Sequence, residues 1–199
     1  GSRATPSRVH RNPYELMTFY DNHDMPRMDA DSSGFIDAHN WLFTSRGIPV
    51  VYYGSEAGFR AGRAEHAGNR DYFGADGIAA ARSHPVHAAL TRIANLRKRS
   101  VALQRGVQVN LEFGDDTAAF YRVFRRQNVS ETALVLLNKG DESVTLDATN
   151  WLASGSWKDA FSGEPVEADS GDKSVTIDAH AVRVLISADA LPEMRHTSP

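Results

Sequence analysis

Cysteine is absent from the 199 residues, which excludes a disulfide framework, a thiolate metal site and a cysteine nucleophile, and leaves the redox compartment open. No apolar run approaches the ~20 residues that a membrane-spanning helix needs, so no membrane partner is expected. A basic excess is also missing. With 22 Lys and Arg against 25 Asp and Glu, the net charge is -3, and the broad positive field that nucleic acid requires is not there. The chain opens on Gly1-Ser2 without a methionine or a signal-like apolar segment, as a processed chain, an added leader or a fragment would. What is present, 41% hydrophobic and 24% charged residues, suits a folded protein of one or two domains.

Along the chain, residues 1–13 are polar and basic with two prolines and read as an irregular lead-in. Tyr14 to Tyr20 reads as a strand. Ser33-Gly34 marks a turn, and Ile36 to Arg46 a helix that stops at Gly47. Ile48 to Tyr53 is apolar, β-branched and aromatic, a short buried strand with its proline near the start. Strand, helix and strand in this order imply a βαβ unit with parallel pairing. Residues 54–84 hold six glycines and read as a long functional loop. Pro85 then opens a second helix carrying Val86, Leu90, Ile93 and Leu96, and Arg97-Lys98-Arg99 closes it with cations that suit its C-terminus.

After Ser100 the pattern changes to short strands. Val107 to Phe113 and Ala118 to Arg126 flank Gly114-Asp115-Asp116, a hairpin signal. Further strands are expected at 132–137, 143–146, 155–159, 174–177 and 182–186. This half reads as an antiparallel β-sandwich. The domain division is therefore 1–100, 101–190 and a loose tail at 191–199.

Three stretches can carry function. In Thr18-Phe19-Tyr20-Asp21-Asn22-His23-Asp24 an apolar run ends abruptly in two aspartates, an asparagine and a histidine, as a strand does when it ends at a polar site. The plainer alternative is that Asp21, Asn22 and Asp24 cap a turn. From Asp29 to Asn40, oxygen side chains at Asp29, Asp31, Ser33 and Asp37, with Gly34 and Ile36 between them, approach the pattern of a calcium loop. Asn40 stands where such a loop carries a bidentate glutamate, and an acidic turn before a helix is the competing reading. Trp151 and Trp157 could stack on sugar rings if exposed, but core packing explains them equally simply. The remaining histidines show no metal spacing, and no organic cofactor is implied. Asn128-Val129-Ser130 fits a glycosylation sequon, a pattern short enough to recur by chance.

Residues 18–24, followed by Thr44-Ser45-Arg46-Gly47-Ile48-Pro49-Val50-Val51-Tyr52-Tyr53-Gly54-Ser55-Glu56 and then a β-rich tail, resemble the α-amylase superfamily of glycoside hydrolases, which includes the cyclodextrin glucanotransferases. The resemblance implies the C-terminal part of a (β/α)8 TIM barrel, contributing two strands and two helices, joined to the β-sandwich called domain C. It implies an extracellular or periplasmic setting. The substrate class it implies is α-glucan, with maltooligosaccharides as ligands.

By the same resemblance Asp24 is the family's third catalytic carboxylate, a transition-state stabiliser that grips sugar hydroxyls. His23 and Asn22 bind the same sugar. Arg70, in Glu65-His66-Ala67-Gly68-Asn69-Arg70-Asp71, sits where glucanotransferases place a donor-side arginine, although His66 replaces an acidic partner and a surface salt bridge would account for Arg70 as well. Glu56 is expected to order its loop. The nucleophile and the proton donor are expected from earlier barrel strands, upstream of residue 1, so the chain alone is expected to be inactive. Two parallel strands would leave edges for the remainder of a barrel, or another copy, to cover. A cyclodextrin-forming transferase and a non-catalytic glucan-binding module are the competing readings.

Overall fold

The computed structural model describes residues 12–60, 69–70, 72–167 and 173–189. The lead-in up to residue 11, residues 65–68 and 71 of the arginine-bearing loop, and the tail from residue 190 lie outside them. Among the described residues no helix is long and apolar enough to cross a membrane.

The parallel pair is present but short. β1 (Met17–Thr18) pairs with β2 (Ile48–Pro49) in parallel register. The expected strand from Tyr14 gives way to a 3-10 turn at Pro13–Glu15, which the Asn12 side chain caps. Each strand is paired on one side only among the described residues, so the ladder ends once the amides of Ile48 and Val50 have reached the carbonyls of Leu16 and Thr18. Between them runs α1 (Ser32–Thr44), four residues longer at its start than the apolar periodicity suggests. Asp31 is the reason. Its carboxylate accepts the Gly34 amide at 2.9 Å, satisfying one of the helix's free N–H groups and drawing Ser32, Ser33 and Gly34 into the first turn.

The far end of α1 is closed by two arginines rather than by glycine alone. Arg97 donates to the carbonyls of Phe43, Ser45 and Gly47 at 2.8, 3.1 and 2.6 Å. Arg122 donates to Thr44 O at 2.6 Å and, through Nε and the second amino group, to Gly106 O at 3.2 and 3.1 Å. Both side chains are buried, and burial pulls each guanidinium down to about 10, which still leaves it charged at neutral pH. Positive charge against the carbonyl end of a helix is favourable, and here it also satisfies acceptors that no water can reach.

α2 (Gly74–Ala81) occupies part of the stretch expected as loop. α3 (Pro85–Arg99) begins at its proline, with the His84 ring nitrogen accepting the Val86 amide at 3.3 Å, and ends at Ser100, whose side chain caps α4 (Val101–Arg105). Eight further strands complete the list among the described residues. β3 (Val107–Phe113), β4 (Thr117–Arg126), β5 (Val129–Asn138), β7 (Trp157–Asp159), β8 (Pro165–Val166) and β10 (Ala181–Ser187) form one antiparallel sheet in the order β3-β4-β5-β10-β7-β8. β6 (Val144–Asp147) and β9 (Ser174–Ile177) form a separate ribbon.

Alternate residues of β4 and β5 point to opposite faces of the large sheet, and both faces are covered. Ala119, Tyr121, Leu134, Leu136 and Leu185 pack with Val175 and Ile177 beneath the ribbon. Phe120, Val135 and Val184 pack with Ile93 and Leu96 of α3, Leu103 of α4 and Phe43 of α1. Double-sided burial explains why β5 reads Ala133-Leu134-Val135-Leu136-Leu137 without polar alternation. The expected sandwich is thus a sheet with a ribbon on one face and helices on the other. Its helical core draws on both sides of residue 100. Trp157 is buried, its indole donating to Ala153 O at 2.8 Å, and Trp151 packs on the same core, so core packing accounts for both.

Candidate functional site

The loop that leaves β1 turns at a buried polar cluster. Asp21 is almost fully enclosed, and Ser55 Oγ donates to it at 3.0–3.1 Å. Burial raises the Asp21 carboxyl above its ordinary value, opposed by the Ser55 hydroxyl and the nearby Arg27 charge. Arg27 is buried too, its guanidinium carbon 4.6, 4.8 and 4.7 Å from the ring centres of Tyr52, Tyr53 and Phe59. Cation–π attraction strengthens when water is excluded, so this cage suits a guanidinium better than an ammonium. Gly54 makes the cage: at φ +88° it turns the chain back, and a Cβ there would lie 2.9 Å from Phe59 Cβ. Behind the cluster the Tyr20 hydroxyl meets His39 Nε2 at 2.9 Å, and burial lowers His39 to about 4.

On this base sit the residues singled out from the sequence. His23 Nε2 lies 3.1 Å from Asp24 Oδ2, while Arg70 reaches Asp24 Oδ1 at 3.2 Å and His23 O at 3.1 Å. The side chains of His23 and Asp24 are each 61% exposed and that of Arg70 is 53% exposed, so all three are open to a ligand. Asn22 serves locally, its Oδ1 accepting the Asp24 amide at 2.7 Å. The turn-capping reading is therefore realised in Asn22, while the His23 and Asp24 side chains stay exposed. Glu56 lies in a 3-10 turn at Ser55–Ala57.

The calcium-loop reading requires correction on geometry. Ser33 and Asp37 belong to α1, a continuous helix that cannot wrap its side chains around an ion as a loop does. Asp31 caps that helix, Asp37 contacts His180 at 2.7 Å, and Asp29 stands exposed before the cap. Among the described residues no group of three or more His, Asp or Glu side chains is arranged to hold a metal ion.

Sequence reasoning passed over Arg27, Ser55 and Asn69. Asn69 is fully buried, and its amide donates to His23 O at 2.8 Å and Met25 O at 3.1 Å. A lone arginine in Met25-Pro26-Arg27-Met28 carries no motif. The only local hint was the aromatic density of Tyr52, Tyr53 and Phe59, which can enclose a cation.

The arrangement offers an exposed carboxylate, an imidazole and a guanidinium on a backbone held by buried groups, at the end of a parallel strand. Such a constellation places a carboxylate acceptor beside two cationic or donor groups on an exposed surface. No protein-family profile matches the chain. Among curated proteins it is 30% identical to an α-amylase of Streptomyces lividans, over 90% of this chain and 23% of that protein. It is 25% identical to a cyclomaltodextrin glucanotransferase of Bacillus licheniformis, over 93% of this chain and 26% of the relative. An α-amylase structure from Anoxybacillus superposes with a TM-score of 0.71 at 25% identity, over 90% of this chain and 39% of that one. The α-amylase from Geobacillus thermoleovorans, solved with acarbose, gives 0.69 at 22% identity, covering 89% and 40%. The chain belongs to the α-amylase superfamily, and the match is consistent with a C-terminal portion of its members. It spans about a quarter or less of the length of the curated relatives it matches first.

Proposed function

We propose that the chain supplies one wall of the active site of a retaining α-1,4-glucan hydrolase, with Asp24 stabilising the transition state and His23 and Arg70 binding the same glucan. The observation that carries this reading is the convergence of His23, Asp24 and Arg70 within hydrogen-bonding distance of one another on an exposed surface. As an oxocarbenium-like centre forms and the ring flattens, hydrogen bonds from ring hydroxyls to a fixed carboxylate tighten, and that differential lowers the barrier. Nucleophile and proton donor are assigned to other strands of a barrel, about 5–5.5 Å apart as retention requires. The exposed Met17, Phe19, Ile48 and Val50 on and beside β1 and β2 support such a completed barrel. So does a groove of about 1010 Å³ lined by Leu16, Phe19, Trp41, Leu42 and Phe113.

Maltooligosaccharide titration of the chain, followed by NMR, tests the reading. Asp24→Asn and His23→Ala should weaken binding, and Trp151→Ala should leave it unchanged. Binding that ignores both loop variants and disappears with Trp151→Ala would favour a non-catalytic module. Reducing-sugar release from starch by the chain alone would remove the assignment of the bond-breaking carboxylates to other strands.

A further inference from the structure

We propose that Asn69 is the positioning residue for Asp24, and that the neighbouring Arg70, a ligand contact, is not needed to hold the Asp24 backbone. The inference rests on the reading of His23 and Asp24 as a glucan-binding wall. Its geometry is specific. The two hydrogens of one amide go to the carbonyls of His23 and Met25, the residues on either side of Asp24. Asp24 is bracketed, and its carboxylate is aimed without being touched.

The bracket is itself anchored. Asn69 O accepts the Tyr52 hydroxyl at 3.0 Å and the Arg27 guanidinium at 3.3 Å. Arg27 is held in its cage by Tyr52, Tyr53 and Phe59, and its other amino group approaches Ser55 Oγ at 3.5 Å, next to Asp21. A continuous set of buried and half-buried contacts therefore runs from the segment after β2, through Arg27 and Asn69, to the residues flanking Asp24.

Burial separates the two neighbours. Arg70 is about half exposed, so water can replace its bonds to His23 O and Asp24 when it is removed. Asn69 is fully buried, so its loss leaves Met25 O facing a cavity and His23 O with Arg70 as its remaining donor. A displacement of about 1 Å at a catalytic group can cost on the order of 100-fold in rate, which makes the bracket functionally significant.

The test compares Asn69→Ala, Asn69→Asp and Arg70→Ala in the full chain by backbone ¹⁵N relaxation, thermal melting and maltooligosaccharide titration. Asn69→Asp keeps the shape and exchanges the two donor hydrogens for a charged acceptor facing the same carbonyls, so it tests the bracket if Asn69→Ala fails to fold. Residues 23–25 should keep order parameters near ~0.85 in the wild type and in Arg70→Ala, and fall below ~0.6 in the folded Asn69 variants. Order in α3 and β5 should stay unchanged. Glucan affinity should drop about tenfold in the Asn69 variants, as expected for a binding group displaced rather than removed. Undiminished order at residues 23–25 in both Asn69 variants would overturn the inference, as would equal loss in Arg70→Ala. If the wild-type chain shows no glucan-dependent shifts, the functional reading fails, and the order parameters alone decide whether Asn69 fixes Asp24.

Discussion

His180 Nδ1 lies 2.7 Å from Asp37 Oδ2 although 143 residues separate them, and its Nε2 reaches Asp141 Oδ1 at 3.0 Å. One imidazole thus ties α1 to two turns of the β-rich half, from a backbone at φ +51° that histidine adopts rarely. The Asp37 contact, then Asp141, raises His180 above its ordinary value, while burial raises Asp37 against the pull of His180. Lys139 and Asp31 also act on Asp37, with opposite signs.

A histidine raised on folding stabilises fully below its unfolded value of 6.5, and that contribution fades as pH rises through the raised value. The melting temperature should therefore decline on the alkaline side of neutrality, and His180→Asn should flatten that decline. The contribution is expected to be about 1 kcal/mol or less, roughly 2–4 °C for a chain of this size. Melting curves between pH 6 and 9 measure it, and an identical slope in His180→Asn would count against the tie.

His39 carries the opposite sign. Burial lowers it from 6.5 to about 4, so the unfolded chain takes up a proton before the folded one does. Stability should fall as pH drops from 6.5 towards 4, by on the order of 3 kcal/mol from this residue. His39→Gln retains an acceptor for the Tyr20 hydroxyl and removes the titration. Urea midpoints at pH 4.5 and 7 should differ less in this variant than in the wild type.

Arg122→Met should cost about 3 kcal/mol, because it strips donors from Thr44 O and Gly106 O in the interior. Arg122→Lys should rescue little, since a single ammonium lacks the fork that reaches both carbonyls. Chemical unfolding of the two variants would show this. Near-wild-type stability of Arg122→Lys would mean that the charge matters and the fork does not.

Asp24→Asn should leave the melting temperature almost unchanged, because the side chain is exposed. In a protein that carries the whole barrel it should lower kcat by about 100- to 1000-fold and weaken substrate binding far less, the mark of an interaction made chiefly in the transition state. Steady-state kinetics on α-1,4-glucan would register the split.

Some of this was legible from residue order. Gly114-Asp115-Asp116 between two alternating runs announced the β3–β4 hairpin, and Pro85 with Arg97-Lys98-Arg99 marked both ends of α3, because turn chemistry and capping act within a few residues. α1 began earlier than expected because one cap, Asp31, outweighed a run of weak helix formers. Asn69, Arg27 and Ser55 escaped notice because a buried polar group is recognised by its partners, and theirs lie 28 to 46 residues away. His180 escaped for the same reason.

The core beneath α3 limits how this protein can be recombined. Ile93 and Leu96 lie against Phe120, Val135 and Val184, so a chimera joined at residue 100 would pair a foreign helix with a surface shaped for this one. A graft of the β-rich half onto another protein should carry residues 32–105 with it, a stretch that includes Asp37, the carboxylate partner of His180.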